Sequence, residues 1–205
     1  MSIRCRNRGW LVVAAMAGLC LTSGPAHAHL FQTGFGTFYD GVVHFILTPA
    51  DLLVGLGLGL LAGSCGAAAS RGVLLALPGA WLVGGLIGSW SPVINALPSL
   101  TTMSFGLVGV LVAVNVQLSR AWVMSLGSIA GLLHGYINGT TIALDGAGWL
   151  SLAGATTMAF TLVTLVAALV VSLRAYWTRI VVRVAGSWIA AVGLLMVGWL
   201  LRGRS

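Results

Sequence analysis

After about residue 40 the chain never runs more than about ten residues before entering another apolar stretch long enough to cross a bilayer of about 30 Å. That spacing is the strongest constraint on its fold. Six such stretches are read, at about 40–64, 73–90, 102–118, 121–138, 149–173 and 184–201. The connections between them are too short for a soluble domain, so the expected fold is all-α: a polytopic membrane helix bundle of about six transmembrane helices. Composition agrees, since 59% of residues are hydrophobic, 6% are charged and the mean hydropathy is +1.04, values that exclude an ordinary soluble domain. The net charge of +7 is not a nucleic-acid signature. The ten basic residues are all arginines, scattered at segment ends with no run of interleaved aromatics.

Residues 1–28 read as a signal peptide and residues 29–205 as the transmembrane domain. Arg4, Arg6 and Arg8 make a basic start, an apolar core follows, and Ala26-His27-Ala28 matches a small-x-small cleavage site, so the mature chain is expected to begin at His29. Cleavage leaves Cys65 as the one thiol, which rules out an internal disulfide or a cysteine-based metal site. With the mature N-terminus outside a bacterial-type inner membrane, Arg71, Arg120 and the group Arg174, Arg179 and Arg183 fall on the cytoplasmic side, as the positive-inside rule requires. Arg202 and Arg204 fall on the outer side under a six-span count.

Chemistry is concentrated in few places, because the chain has three acidic residues and four histidines. In one continuous helix Asp40, His44, Thr48 and Asp51 lie within roughly 80° of one another, a polar stripe in an apolar span. Ionisable groups at membrane depth ordinarily mark an ion or proton path. Asp40 and His44, one turn apart, are placed to chelate together. Pro49 offers a competing reading, in which the helix breaks and restarts with Thr48 as N-cap, Pro49 in the first helical position and Asp51 as the acid of a capping box. A second polar centre lies in the fourth stretch, where Gly127, Gly131, His134 and Asn138 share one helical face. Once cleavage frees it, the His29 amine beside its own imidazole is expected to form an auxiliary metal grip.

The run Gly41-Val42-Val43-His44 followed by Asp51-Leu52-Leu53, behind a signal ending Ala26-His27-Ala28-His29, together with Leu133-His134-Gly135-Tyr136-Ile137-Asn138-Gly139, resembles the HupE/UreJ family of nickel-permease-like membrane proteins associated with hydrogenase and urease maturation. That family carries G-x-x-H-P-x-x-G-x-D-H in its first mature span and H-G-x-A-H-G-x-E in a later one. The resemblance implies that His44, Asp51 and His134 handle metal. The departures are Phe45 for the proline, Asp51 one residue late, Leu52 for the following histidine, Asn138 for the second histidine and Thr141 for the glutamate.

The expected function is therefore a secondary permease for a divalent transition-metal ion, nickel by resemblance, with cobalt, copper or zinc also suited to imidazole. The metal set is His44, Asp51, His134, Asp40, His29 and Asn138. The alternative is a non-transporting membrane subunit or accessory scaffold in which these side chains only join helices. The expected partners are lipid, the metal ion, and a second copy or an accessory membrane protein; no tightly bound cofactor is expected. No H-E-x-x-H, G-x-S-x-G or closely spaced pair of carboxylates points to an enzyme.

Overall fold

The computed structural model describes residues 33–90, 98–173 and 175–202. The proposed cleavage site and His29 lie outside the described residues. Those described form seven helices: α1 (Thr37–Leu47), α2 (Pro49–Ser64), α3 (Ala67–Trp90), α4 (Pro98–Ala113), α5 (Arg120–Leu144), α6 (Gly148–Ser172) and α7 (Tyr176–Arg202). The fold is all-helical, as expected. Three helices, α3, α6 and α7, are long and apolar enough to cross a membrane alone, and α1 with α2 makes a fourth crossing only as one span bent by 76°. The expected count of six rests on two further helices that fall short of this measure. α4 has 16 residues, and the 25 residues of α5 include Arg120, His134, Asn138 and several serines, threonines and glycines.

The polar stripe of an unbroken first helix does not form. Thr48 is extended (φ −88°, ψ 103°) and Pro49 takes the first position of α2, because a proline ring cannot continue the α1 ladder. The Thr48 N–H closes α1 by donating to His44 O at 2.9 Å. It is therefore unavailable to Asp51, and the expected capping box is absent; Thr48 makes no side-chain cap bond either. Asp51 is left free to reach across the bundle.

Other boundaries differ for equally local reasons. Residues 67–72, expected in a loop, are the first turns of α3, and the reversal needs little more than Gly66 at φ +99°. Residues 139–144, also expected in a loop, continue α5, which stops only at Asp145 and the left-handed Gly146. His134 therefore lies ten residues from the end of α5, about 9 Å of helical rise deeper than a loop at Gly139 implies. Pro78 is carried inside α3 without ending it.

Three tight helix pairs surround a central rod. On α5, Gly127, Gly131, Gly135 and Gly139 recur every fourth residue and face Val73, Leu77, Trp81 and Gly85, which recur every fourth residue on α3. A β-carbon at Gly135 would fall on the Trp81 carbonyl, and one at Gly88 on the Tyr136 carbonyl, so the two backbones are in direct contact. Gly41 meets the Ser151 carbonyl and Gly154 the Phe38 carbonyl, joining α1 to α6. Gly106 and Gly193 join α4 to α7. The rod is α2, which packs against every other described helix. Its Gly57, Gly59 and Gly63 admit Val108, Val166 and Val170 where larger residues would hold the neighbours away.

One end of the bundle gathers arginines. Arg183 Nε donates to Ala113 O at 2.9 Å, Arg179 lines a cleft with Gly66, Asn115 and Gln117, and a side chain at Gly72 would meet Arg120 Nε. At the same end Cys65 Sγ donates to Val116 O and accepts from Leu118 N, a packing role. Asp40 and Asp145 belong to the opposite end, at the start of α1 and the close of α5.

Candidate functional site

Asp51, in the first turn of the central helix, is 2% exposed. Its Oδ1 lies 2.7 Å from His134 Nδ1 and its Oδ2 accepts from Asn138 Nδ2 at 2.8 Å. His134 and Asn138 are one turn apart on α5, which the glycine contacts hold against α3. Asn138 Nδ2 also donates to His134 O at 2.9 Å, which fixes the amide orientation. The far side of the imidazole meets a further helix: His134 Nε2 lies 2.8 Å from Ser104 Oγ on α4, and Ser104 Oγ lies 2.7 Å from Thr101 O. Trp81 packs over His134 with ring centres 5.7 Å apart, and Phe45 packs on Trp81 at 5.4 Å. His134 is fully buried. The centre thus joins α2, α4 and α5 through polar atoms and is closed by two aromatic rings.

Hydrogen bookkeeping limits the protonation pattern. An ionised carboxylate only accepts, so His134 Nδ1 carries a proton and donates it to Asp51. Neutral His134 then has its lone pair at Nε2, facing Ser104. Asn138 Oδ1 is buried with no hydrogen-bond partner among the described residues, as are Trp81 Nε1 and Ser151 Oγ. Buried orphans of this kind mark places where water or an ion is accommodated.

The remaining sequence-derived residues separate from this core. His44, near the end of α1, is 8% exposed, within electrostatic reach of Asp51 and Asp145, and its ring takes no hydrogen bond among the described residues. Asp40 does not pair with His44 in this structure; its Oδ1 accepts from Thr33 N at 2.6 Å and Thr33 Oγ1 at 2.7 Å. Among the described residues no three His, Cys, Asp or Glu side chains converge as a ready metal cage. Sequence reasoning missed Ser104 and Trp81. A serine among the hydroxyls of Thr101-Thr102-Met103-Ser104 and a tryptophan in an apolar helix carry no spacing that distinguishes them.

Nothing among the curated proteins or the solved structures matches the chain. The family model described as HupE / UreJ protein matches residues 17–196, nearly the whole of it, and on that ground the chain belongs to the HupE/UreJ family of membrane proteins, which is associated with nickel or cobalt transport or accessory roles and is not an enzyme family.

Proposed function

We propose that the protein is a secondary permease for a divalent transition-metal ion, with nickel the first expectation and cobalt the second, acting in a bacterial-type inner membrane with the mature N-terminus and His44 toward the outside. The carrying observation is the buried Asp51 carboxylate at the restart of the central broken helix, bonded to an imidazole on a neighbouring helix. Broken helices in transporters commonly supply ion sites at such points. His44 receives the ion near the outer end, the Asp51–His134 pair attracts it to the centre, and the unpartnered Asn138 Oδ1 offers a further oxygen. No nucleotide-binding motif is present, so the ion moves down its own gradient or with a coupling ion.

The accessory-scaffold reading draws on one observation, that Asp51 already has two hydrogen-bond donors and would hold α2 to α5 with no ion present. Nickel and cobalt accumulation by cells expressing the protein separates the two. On the permease reading His44→Ala and His134→Ala each abolish most accumulation at normal protein levels, and the double change costs little more, because groups acting as a unit are non-additive. Accumulation equal to that of empty-vector cells with the native chain present in the membrane overturns the permease.

A further inference from the structure

The division of labour within the buried centre follows from which nitrogen of His134 is held by what. Both ring nitrogens are engaged: Nδ1 by Asp51 at 2.7 Å and Nε2 by Ser104 at 2.8 Å. A metal ion needs one of them, and the two partners differ in what their release costs. Freeing Nδ1 strips a 2%-exposed carboxylate of a charge-assisted bond. Freeing Nε2 costs little, because the Ser104 hydroxyl has a second acceptor, Thr101 O, at 2.7 Å on its own helix. One O–H bond serves two acceptors, and turning it to Thr101 exposes the Nε2 lone pair beside a Ser104 oxygen lone pair.

The geometry points to a metal position between His134 Nε2 and Ser104 Oγ, with Ser104 as a ligand no sequence motif announces and Asp51 as the carboxylate that orients the imidazole. This deepens the permease reading and rests on it. Metal-bound histidines ordinarily donate their other ring N–H to a carboxylate, which fixes the tautomer and strengthens the donor nitrogen. The Asp51–His134 bond already has that form. The donor spacing is close as well. Metal–nitrogen and metal–oxygen bonds of about 2.1 Å place the two donor atoms about 3.0–3.4 Å apart for angles between square and tetrahedral. The observed 2.8 Å has to widen by only a few tenths of an ångström. Since Ser104 is on α4, which pairs with α7, while His134 is on the glycine-locked α3–α5 pair, an ion at this position bridges two of the tight helix pairs and is released by their separation.

The test uses the purified full-length protein in detergent with cobalt(II) as the probe. Ser104→Cys places a thiol at the inferred ligand position, so cobalt is expected to produce a thiolate-to-cobalt charge-transfer band that the native protein lacks. Ser104→Ala is expected to weaken cobalt binding, read by calorimetry, by about tenfold. Cobalt binding to Ser104→Cys without the band, or unchanged affinity in a folded Ser104→Ala protein, overturns the Ser104 position and leaves the permease standing. A native protein that binds neither cobalt nor nickel overturns both.

Discussion

Asp51→Asn tests the central carboxylate with the least disturbance of shape. Asp51 accepts from His134 Nδ1 and from Asn138 Nδ2. Asparagine has one acceptor oxygen and one amide nitrogen in the same places, so it satisfies only one of these donors as they stand. If its oxygen stays on Asn138, its NH2 faces His134 Nδ1, and the imidazole adapts by moving its proton to Nε2, where Ser104 Oγ accepts it. The network survives, but with the charge gone and the Nε2 lone pair consumed. The stability cost is the difference between a charge-assisted and a neutral hydrogen bond, about 1 kcal/mol for each of the two donors and about 2 kcal/mol together. At about 2–4 °C per kcal/mol for a chain of this size, that is a fall in Tm of about 4–8 °C. The functional cost is larger, about 10- to 100-fold in metal affinity, the usual effect of losing a carboxylate behind a metal-binding histidine. Thermal unfolding of the detergent-solubilised protein and cobalt titration measure the two separately. Native cobalt affinity and full metal accumulation by Asp51→Asn at normal protein levels would refute the reasoning, because nothing else in the centre supplies a negative charge.

Gly135→Ala puts a methyl group onto the Trp81 carbonyl and is expected to cost about 1–3 kcal/mol, seen as a lower Tm and a smaller yield of folded protein, whereas Gly79→Ala, with open space around its β-carbon, leaves both unchanged. Metal uptake is expected to weaken as external pH falls, because His44 binds only as the neutral imidazole; uptake that rises with acidity removes His44 as a metal ligand. In intact cells, single cysteines at Arg71 or Arg120 are expected to resist an impermeant thiol reagent and one at Asp145 to react, and the reverse pattern inverts the orientation.

Much of the bundle is legible in the sequence, and the failures have identifiable physics. Apolar length locates α6 to within a residue at each end, because the left-handed Gly146 and Gly148 open it and the apolar run gives way to Arg174 in the sequence after it. The same reasoning shortens α3 and α5, because the polar and small residues at 67–72 and 139–144 read as loop when helix propensity and tertiary contact carry them as helix. The Pro49 break is visible, but its two consequences are not separable from the sequence alone. Whether Asp51 turns back to cap α2 or reaches out to α5 depends on the Thr48 N–H, and that donor is taken by His44 O. Asn138 is found by helical spacing from His134. Ser104 is not, because its relation to His134 spans 30 residues and exists only once α4 packs beside α5.

The placement of charge in this molecule favours a function over a purely architectural role for the centre. With three acids against ten arginines, the chain has few negative charges to use. Asp40 and Asp145 stand at the end of the bundle opposite the arginine cluster, and Asp51 sits on the one described helix that touches all the other described ones. A hydrogen-bonded clamp between α2 and α5 does not need a charge there. A neutral amide facing Asn138, as Asp51→Asn would supply, joins the same helices without an ionised group in a low-dielectric interior, and the backbone contacts of the glycine-lined helices already hold α5 against α3. An ionised carboxylate, by contrast, fixes His134 in the tautomer that presents Nε2 and supplies the negative potential that draws a divalent cation between the helices. The break at Thr48–Pro49 serves the same end: it frees the carboxylate from the backbone of its own helix and turns α1 aside by 76°, leaving His44 near the outer end and Asp51 at the centre as successive stations for a cation rather than two teeth of one chelate.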